Sequence, residues 1–334
     1  MSKTPRTVSN GGNPLVSVVI PVYNAAKYIS DTLDSVFAQT FTSYELILVN
    51  DGSPDTARLE QILRPYLSRI VYIKQENKGV SAARNTGIRA ARGKFYTQLD
   101  SDDLWEPQYL ATQLSYLERN PTIDLVYPNA LIFNDHSNVV VEFMRVSPSD
   151  GEPTFERLIR QQCTVMTSVT ARMEAINRAG LFDESLRGCE DFDLWLRIIK
   201  TGGRIGYQRE TLVRYRRHLD SLSSDRASML SNLLQVLDKA KSTLQLTPSE
   251  LDAVNQESVR HRARIRVLQG KRLLTQGETG TAIQVFSEAN LYYRSPKIAV
   301  ALWVMRYWPG VVKLAMKIRK IWFSRIDRIN LTGH

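Results

Sequence analysis

Val16 to Asn24 reads VSVVIPVYN and Glu45 to Ser53 reads ELILVNDGS, two apolar, β-branched runs that each close on a polar turn. Short apolar runs bounded by turn residues mark strands buried on both faces. Between them Ile29, Leu33, Val36 and Phe37 recur at helical spacing, with Asn24 a candidate N-cap. The pattern then repeats as a helix near Thr56 to Leu67, a strand at Ile70 to Lys74, a helix at Val80 to Ala91 and a strand at Lys94 to Leu99. Strand and helix in strict alternation predict an α/β fold with a parallel, doubly wound sheet. Ligands of such sheets bind outside the carboxyl ends of the strands. Tyr23-Asn24, Asp51-Gly52-Ser53, Lys78-Gly79 and Asp100 to Asp103 all fall at those ends.

The last of these loops, QLDSDD from Gln98 to Asp103, sets three carboxylates directly after a strand. In an extended chain Asp100 and Asp102 share a face and can hold one hard cation, Mn2+ or Mg2+ because every ligand is oxygen. The same residues also suit an acidic turn that caps a helix starting near Pro107. Asp51 can accept hydrogen bonds from the edge of a base, with Gly52 allowing close approach, or can serve an ordinary Asp-Gly turn. Lys78, Arg84 and Arg89 supply cations on the same side, and the loop entering a helix at Gly79 can present N–H groups to anions.

A second acidic cluster, Glu190, Asp191 and Asp193, opens an amphipathic helix carrying Leu194, Trp195 and Ile198. Acids there favour the helix dipole, so capping accounts for them; a general base at Asp191, facing the reaction centre from the side opposite the metal, is the functional alternative. His218 in YRRHLDSLS is either a metal or phosphate ligand or a loop histidine. Trp105, Trp195 and Arg197 either line a sugar pocket or belong to the core. Neither G-x-G-x-x-G after the first strand nor G-x-x-x-x-G-K-[ST] occurs, which disfavours the usual dinucleotide and P-loop sites.

With 334 residues, 43% of them hydrophobic, the chain can carry one catalytic domain and an appendage. Two cysteines without a C-x-x-C pair and four histidines exclude a disulfide framework and a zinc cage, and suggest a reducing, cytoplasmic setting. The net charge of +10 suggests anionic partners. Much of it gathers between Lys297 and Arg325, where seven Lys or Arg and no acid are interleaved with Trp303, Tyr307, Trp308, Trp322 and Phe323. Lys313, Lys317 and Lys320 form a basic stripe suited to an anionic membrane surface, or to packing on the chain itself or a partner. Pro309-Gly310 and the charges argue against a spanning helix. The expected organisation is a disordered lead-in over 1–14, a catalytic domain over 15–227, a helical extension over 228–296 and a basic segment over 297–334. Gly270, Gly277, Ala282, Phe286 and Ala289 match one tetratricopeptide-like hairpin in that extension.

Together, VSVVIPVYN (Val16 to Asn24), LVNDGS (Leu48 to Ser53), NKGVSAARNTGI (Asn77 to Ile88), LDSDD (Leu99 to Asp103) and CEDFDLWLR (Cys189 to Arg197) resemble the family 2 glycosyltransferases of the GT-A fold. The likeness runs from about Pro14 to Ser224. It implies a Rossmann-like, doubly wound sheet, mixed but mainly parallel, followed by a helical appendage, and an inverting transferase using a nucleotide-diphosphate sugar and Mn2+ or Mg2+. By resemblance, Pro21, Tyr23 and Asp51 bind the nucleoside, with Asn24, Gly52, Lys78, Arg84 and Ser101 completing the donor site. Asp100 and Asp102 form the DxD metal and ribose-diphosphate site, with Asp103 an alternative ligand. Asp191 is the base, Glu190 an alternative base or acceptor-positioning group, and Tyr215, Arg216 and His218 match the family's Y-R-x-H element. The absent Q-x-x-R-W motif implies non-processive addition of one or a few sugars. A UDP-sugar donor, a glycan or lipid-linked acceptor, bacterial surface-glycan assembly at the inner face of the plasma membrane, and no nucleic acid partner are the corresponding expectations. The rival readings are a sugar-phosphate nucleotidyltransferase and a catalytically inactive sugar-nucleotide or membrane-surface module.

Overall fold

A computed structural model describes residues 13–135, 137–147, 149, 151–218, 225–308 and 310. Four strands, β1 (Val16–Val22), β2 (Tyr44–Asp51), β3 (Val71–Gln75) and β4 (Phe95–Gln98), lie parallel in the order 3-2-1-4. Helices α1 (Ile29–Phe37), α2 (Thr56–Leu63) and α3 (Val80–Ala90) join them. All of β1 is buried, as is β2 from Glu45, so these runs are apolar because both faces are covered. Helix α3 packs closely on β1: a Cβ on Gly87 would strike Val19.

The strand order reverses between β1 and β4, and a crevice opens at the carboxyl ends beside such a reversal. Pro21 is tolerated in the central strand because β4 has already ended there. Leu99 N–H donates to Val19 O, so the next position facing that side, Pro21, lies past the ladder and lacks only an N–H that would find no partner in it.

Two expectations need local correction. The helix begun at Thr56 stops at Leu63, not Leu67, because Pro65 cannot donate; the chain continues as a 3-10 turn over Arg64–Tyr66. Asn24 is not the cap of α1, which begins at Ile29; it sits in the left-handed region (φ 52°) and its N–H donates to Ser53 Oγ at 2.7 Å.

After β4 the strict alternation ends. The chain forms β5 (Leu104–Trp105), α4 (Tyr109–Arg119), β6 (Leu125–Asn134), β7 (Ser137–Glu142), the short helices α5 (Phe143–Val146) and α6 (Phe155–Ile159), β8 (Thr170–Arg172), α7 (Met173–Ala179), α8 (Glu190–Lys200) and β9 (Ile205–Arg216). Strand β8 is antiparallel to both β4 and β6, β6 runs parallel to β9, and β5 and β7 pair antiparallel with β9 and β6. The sheet is therefore mixed: the strands of the first hundred residues pair parallel throughout, β6 pairs parallel with β9, and the other later pairings are antiparallel.

The described residues up to Asp225, together with Gln235–Val254, form one compact unit. Arg226–Leu234 and the described residues from Asn255 onward form another. Helices α9 (Arg226–Thr243) and α10 (Pro248–Gln276) each contribute residues to both units. Within the first unit Lys239 Nζ bridges Asp183 (2.6 Å) and Asp193 (2.8 Å), and Lys200 meets Glu250 at 2.7 Å. In the second unit α11 (Thr279–Tyr293) lies against α10, and a Cβ on Gly270 would sit 2.7 Å from the Phe286 ring. Ala282, Phe286 and Met305 form its small core, joined by Ile298 and Leu302 of α12 (Pro296–Tyr307). Helix α12 stops ahead of Pro309; Lys313, Lys317 and Lys320 of the expected basic stripe, with Trp322 and Phe323, lie outside the described residues. Among the described residues no helix is long and apolar enough to cross a membrane.

Candidate active site

The carboxyl ends of β1, β2 and β4 bring the candidate residues to one rim. Asp51, the last residue of β2, is 3% exposed. Its Oδ1 accepts from Gln75 Nε2 (2.7 Å) and Lys78 N (2.9 Å), and its Oδ2 from Gly79 N (2.8 Å). The Lys78 and Gly79 N–H groups expected to meet an anion are thus spent on Asp51, which keeps about one of its four lone-pair positions for a ligand. Gly52 (φ 61°) lets the turn approach the chain itself closely: a Cβ there would lie 2.6 Å from Asn77 N. Tyr23, 54% exposed, stands at the mouth beside Asn24.

Arg84 differs most from expectation. It is not a free cation for phosphates but a buried cross-link, 2% exposed, from the middle of α3. Its Nη2 meets Asp100 Oδ1 at 2.7 Å and its Nη1 meets Glu190 Oε1 at 2.5 Å. Burial opposes its charge, yet the two carboxylates outweigh burial and raise its pKa. This tie joins the end of β4 to the first turn of α8, across 106 positions of sequence between Arg84 and Glu190.

Asp100, Ser101, Asp102 and Asp103 lie beyond the end of β4 in a turn closed by Asp103 N–H to Asp100 O (3.1 Å), so strand alternation does not orient them. Asp102 Oδ2 lies 2.9 Å from His218 Nε2, and the His218 ring stacks on Tyr28 with centroids 4.9 Å apart. Asp103, offered as an alternative metal ligand, turns inward instead. It is 1% exposed and its Oδ1 accepts from Arg216 N at 2.8 Å. Arg216 also donates to Asp102 O (2.8 Å) and pairs with Asp31 (3.2 Å) and Asp135, fastening the turn to α1 and to the residue after β6. Thr32 Oγ1 donates to Ser101 O at 3.0 Å, a second tie from α1.

The acids of this rim outnumber its cations. Asp102 has its pKa raised, chiefly by burial and then by Asp100, against the His218 hydrogen bond. Asp103 is raised well above the carboxylate range by burial and then by Asp102 and Asp100. Asp191, in the first turn of α8 with Phe192 N donating to its Oδ1 at 2.7 Å, is pushed up to about 7. Burial is the main cause, Glu190 adds to it and Arg84 opposes it. Trp105, Trp195 and Arg197 belong to the framework, not a sugar pocket. Trp105 is buried against Tyr109 with Nε1 donating to Ser168 Oγ (3.0 Å), Trp195 is 1% exposed, and Arg197 pairs with Asp193 (2.7 Å). Asp31, Asp135, Tyr28 and Gln75 joined the rim without any sequence signal beyond their polarity, since each is placed by a long-range partner.

Among the described residues no three His, Cys, Asp or Glu side chains are grouped to hold an ion by themselves. Asp100 gives one oxygen to Arg84 and Asp102 one to His218; the second oxygen of each bonds no other residue among those described. Two repelling carboxylates with an oxygen to spare fit a hard cation completed by substrate phosphates, the usual arrangement for Mg2+.

The model of the family Glycosyl transferase family 2 matches residues 17–181. An uncharacterized glycosyltransferase of Rickettsia typhi is 31% identical over 217 residues, covering 63% of this chain and 66% of the relative, just under two-thirds of its length. One of Methanocaldococcus jannaschii is 31% identical over 208 residues, covering 61% of this chain and 71% of the relative. Among solved structures, S. aureus TarS 1-349 superposes with a TM-score of 0.59 at 19% identity over 82% of this chain and 79% of TarS; another TarS 1-349 structure contains UDP-GlcNAc. The mannosyltransferase PcManGT of Pyrobaculum calidifontis, in complex with GDP-Man and Mn2+, gives 0.59 at 19% identity over 93% and 88% of the two chains. These structural likenesses establish the GT-A-like fold, and the sequence matches establish the rest: the chain is a transferase that belongs to glycosyl transferase family 2.

Proposed function

We propose that this transferase moves one sugar, or a few, from a nucleotide-diphosphate sugar to an acceptor hydroxyl with inversion at the anomeric carbon. The observation that carries the proposal is the Asp100–Arg84–Glu190 tie, which joins the paired carboxylates after β4 to the helix turn bearing Asp191. Asp191 is half-buried, with a pKa near neutrality, where a general base is most effective.

In the proposed reaction the acceptor oxygen forms a bond to the anomeric carbon while the carbon–oxygen bond to the diphosphate breaks. The electron pair leaves with the diphosphate, and Asp191 takes the acceptor's proton. A single base with no covalent intermediate gives inversion. Asp100 and Asp102 would hold Mn2+ or Mg2+, which when bound offsets the charge of the leaving diphosphate. Tyr23, Pro21, Asn24, Gly52, Ser101 and the remaining acceptor capacity of Asp51 surround the nucleoside. Arg84 and Lys78 act as scaffold in this reading, Arg84 by fixing Asp100 and Glu190 and Lys78 through its backbone. His218 orients Asp102. The UDP-GlcNAc and GDP-Man of the structural relatives support a nucleotide-sugar donor; a UDP-sugar, and a glycan or lipid-linked acceptor in cell-surface assembly, are the members of that class proposed here.

The test is release of nucleoside diphosphate from a panel of UDP-, GDP- and dTDP-sugars with Mn2+ or Mg2+. Release abolished by EDTA and restored by Mn2+ is expected. Metal-independent release, or neither release nor binding with any donor, overturns the proposal.

A further inference from the structure

Helix α12 is apolar on two opposite faces, and its own unit covers one of them. Ile298, Leu302 and Met305 fall on one side and pack toward Phe286 and Ala282. At helical spacing Val300, Trp303 and Tyr307 fall on the other, and they are 62%, 56% and 63% exposed. The Trp303 and Tyr307 rings lie 5.7 Å apart, a contiguous aromatic patch, and Trp308, 58% exposed, follows directly. A contiguous exposed aromatic patch rimmed by charge marks an interaction surface, so the outer face calls for an occupant.

The charge around the patch selects the occupant. Lys297 and Arg306 are exposed on the same helix, and from Ala289 to Ile326 the sequence holds eight Lys or Arg and no acid. Exposed Trp and Tyr beside basic side chains are the composition of a surface lying in the headgroup region of an anionic bilayer, where the rings reach the acyl boundary and the long cationic stems snorkel to phosphate. A second copy of the chain would bring a like-charged face against this one. We infer that the outer face of α12, with Val300, Trp303 and Tyr307 at its centre, docks the enzyme on an anionic lipid surface. The helix lies in the interface; at Pro296–Tyr307 it is too short to span the bilayer.

Vesicle co-sedimentation of the full chain tests this independently of donor turnover. Binding to phosphatidylglycerol-containing vesicles, weak binding to pure phosphatidylcholine, and loss of binding with rising salt are expected. The W303S/Y307S pair should lower the partition coefficient by about tenfold or more, and K297E/R306E should remove most of the preference for anionic lipid. Both pairs alter exposed positions, and unchanged circular dichroism and donor turnover report an intact fold. Equal partitioning of wild type and W303S/Y307S, or no binding to either vesicle, overturns the proposal. So does a wild-type dimer that W303S/Y307S dissociates without any vesicle binding, which would assign the face to a second copy.

Discussion

The two ends of the same parallel strands each bury acids, and they treat them oppositely. At the amino end Glu45 is 1% exposed and fully matched. Its Oε1 accepts from Ser17 Oγ (2.8 Å) and Arg92 N (2.7 Å), its Oε2 accepts from Arg92 Nε (2.9 Å), and Ser17 Oγ in turn accepts from Gly93 N (2.8 Å). At the carboxyl end Asp100, Asp102, Asp103, Glu190 and Asp191 crowd around Arg84, His218 and the backbone of Arg216, and three of the five have raised pKa values. Burial of a carboxylate therefore does not distinguish scaffold from site in this molecule. The balance of acids against donors does: one end is satisfied and holds the strands together, the other is left short of positive charge at the place where a cation, a diphosphate and a proton would be exchanged.

Substitutions at the two ends should separate the roles. The largest effect is expected from Arg84→Met, which strands Asp100 and Glu190 without their shared cation; urea unfolding should show a loss of about 3–5 kcal/mol. Next, Asp191→Asn should lower kcat by roughly 10²-fold, about 2.7 kcal/mol in the barrier, while nucleotide affinity measured by calorimetry stays near wild type. At the satisfied end, Ser17→Ala should cost about 1–2 kcal/mol of stability by leaving Gly93 N–H and Glu45 short of a partner. Its kcat should not change, and a loss of turnover comparable to that of Asp191→Asn would mean that the two ends do not differ in role.

Asp191 also makes stability depend on pH. Asp191 binds its proton up to about pH 7 when folded, whereas an unfolded Asp releases it near pH 3.9. Its contribution to stability is thus fully present below that lower value and is lost as pH rises through 7. In EDTA, Asp191→Asn should melt higher than wild type at pH 8, and the difference should fade as pH falls toward 4. An advantage of equal size at both ends of the range would mean that the Asp191 charge is not the cause.

How much of this could be read from the chain depends on how local the cause is. Strands β1 and β2 and their terminal loops were legible because apolar, β-branched runs ending in Asn, Asp and Gly report burial and turning within a few residues, and β3 and β4 because they alternate with helical patterns. Strands β6, β8 and β9 were not. Pro128-Asn129 breaks the run of β6, where its register with β9 shifts, β8 has only three residues, and β9 exposes Arg209 and Glu210 in mid-strand. At the site the residue types were legible but their partners were not. Arg84 looked like a phosphate-binding cation because Glu190 lies 106 positions away, and Asp51 looked free because the N–H groups of Lys78 and Gly79 that occupy it are 27 and 28 positions distant. Acidic Asp103 was indistinguishable from Asp102 by sequence, and only the backbone of Arg216 decides which of the two turns inward.

In the proposed reaction Asp191 is the group that must lose its proton before the acceptor is attacked. The pH dependence of kcat/KM for donor and acceptor transfer, recorded from pH 5 to 9 at saturating Mn2+, reads the free enzyme's base. An acid limb with an apparent pKa near 7, absent from the residual activity of Asp191→Asn, is the predicted result. A profile that is flat from pH 5 to 8, or a limb that persists unchanged in Asp191→Asn, would contradict it.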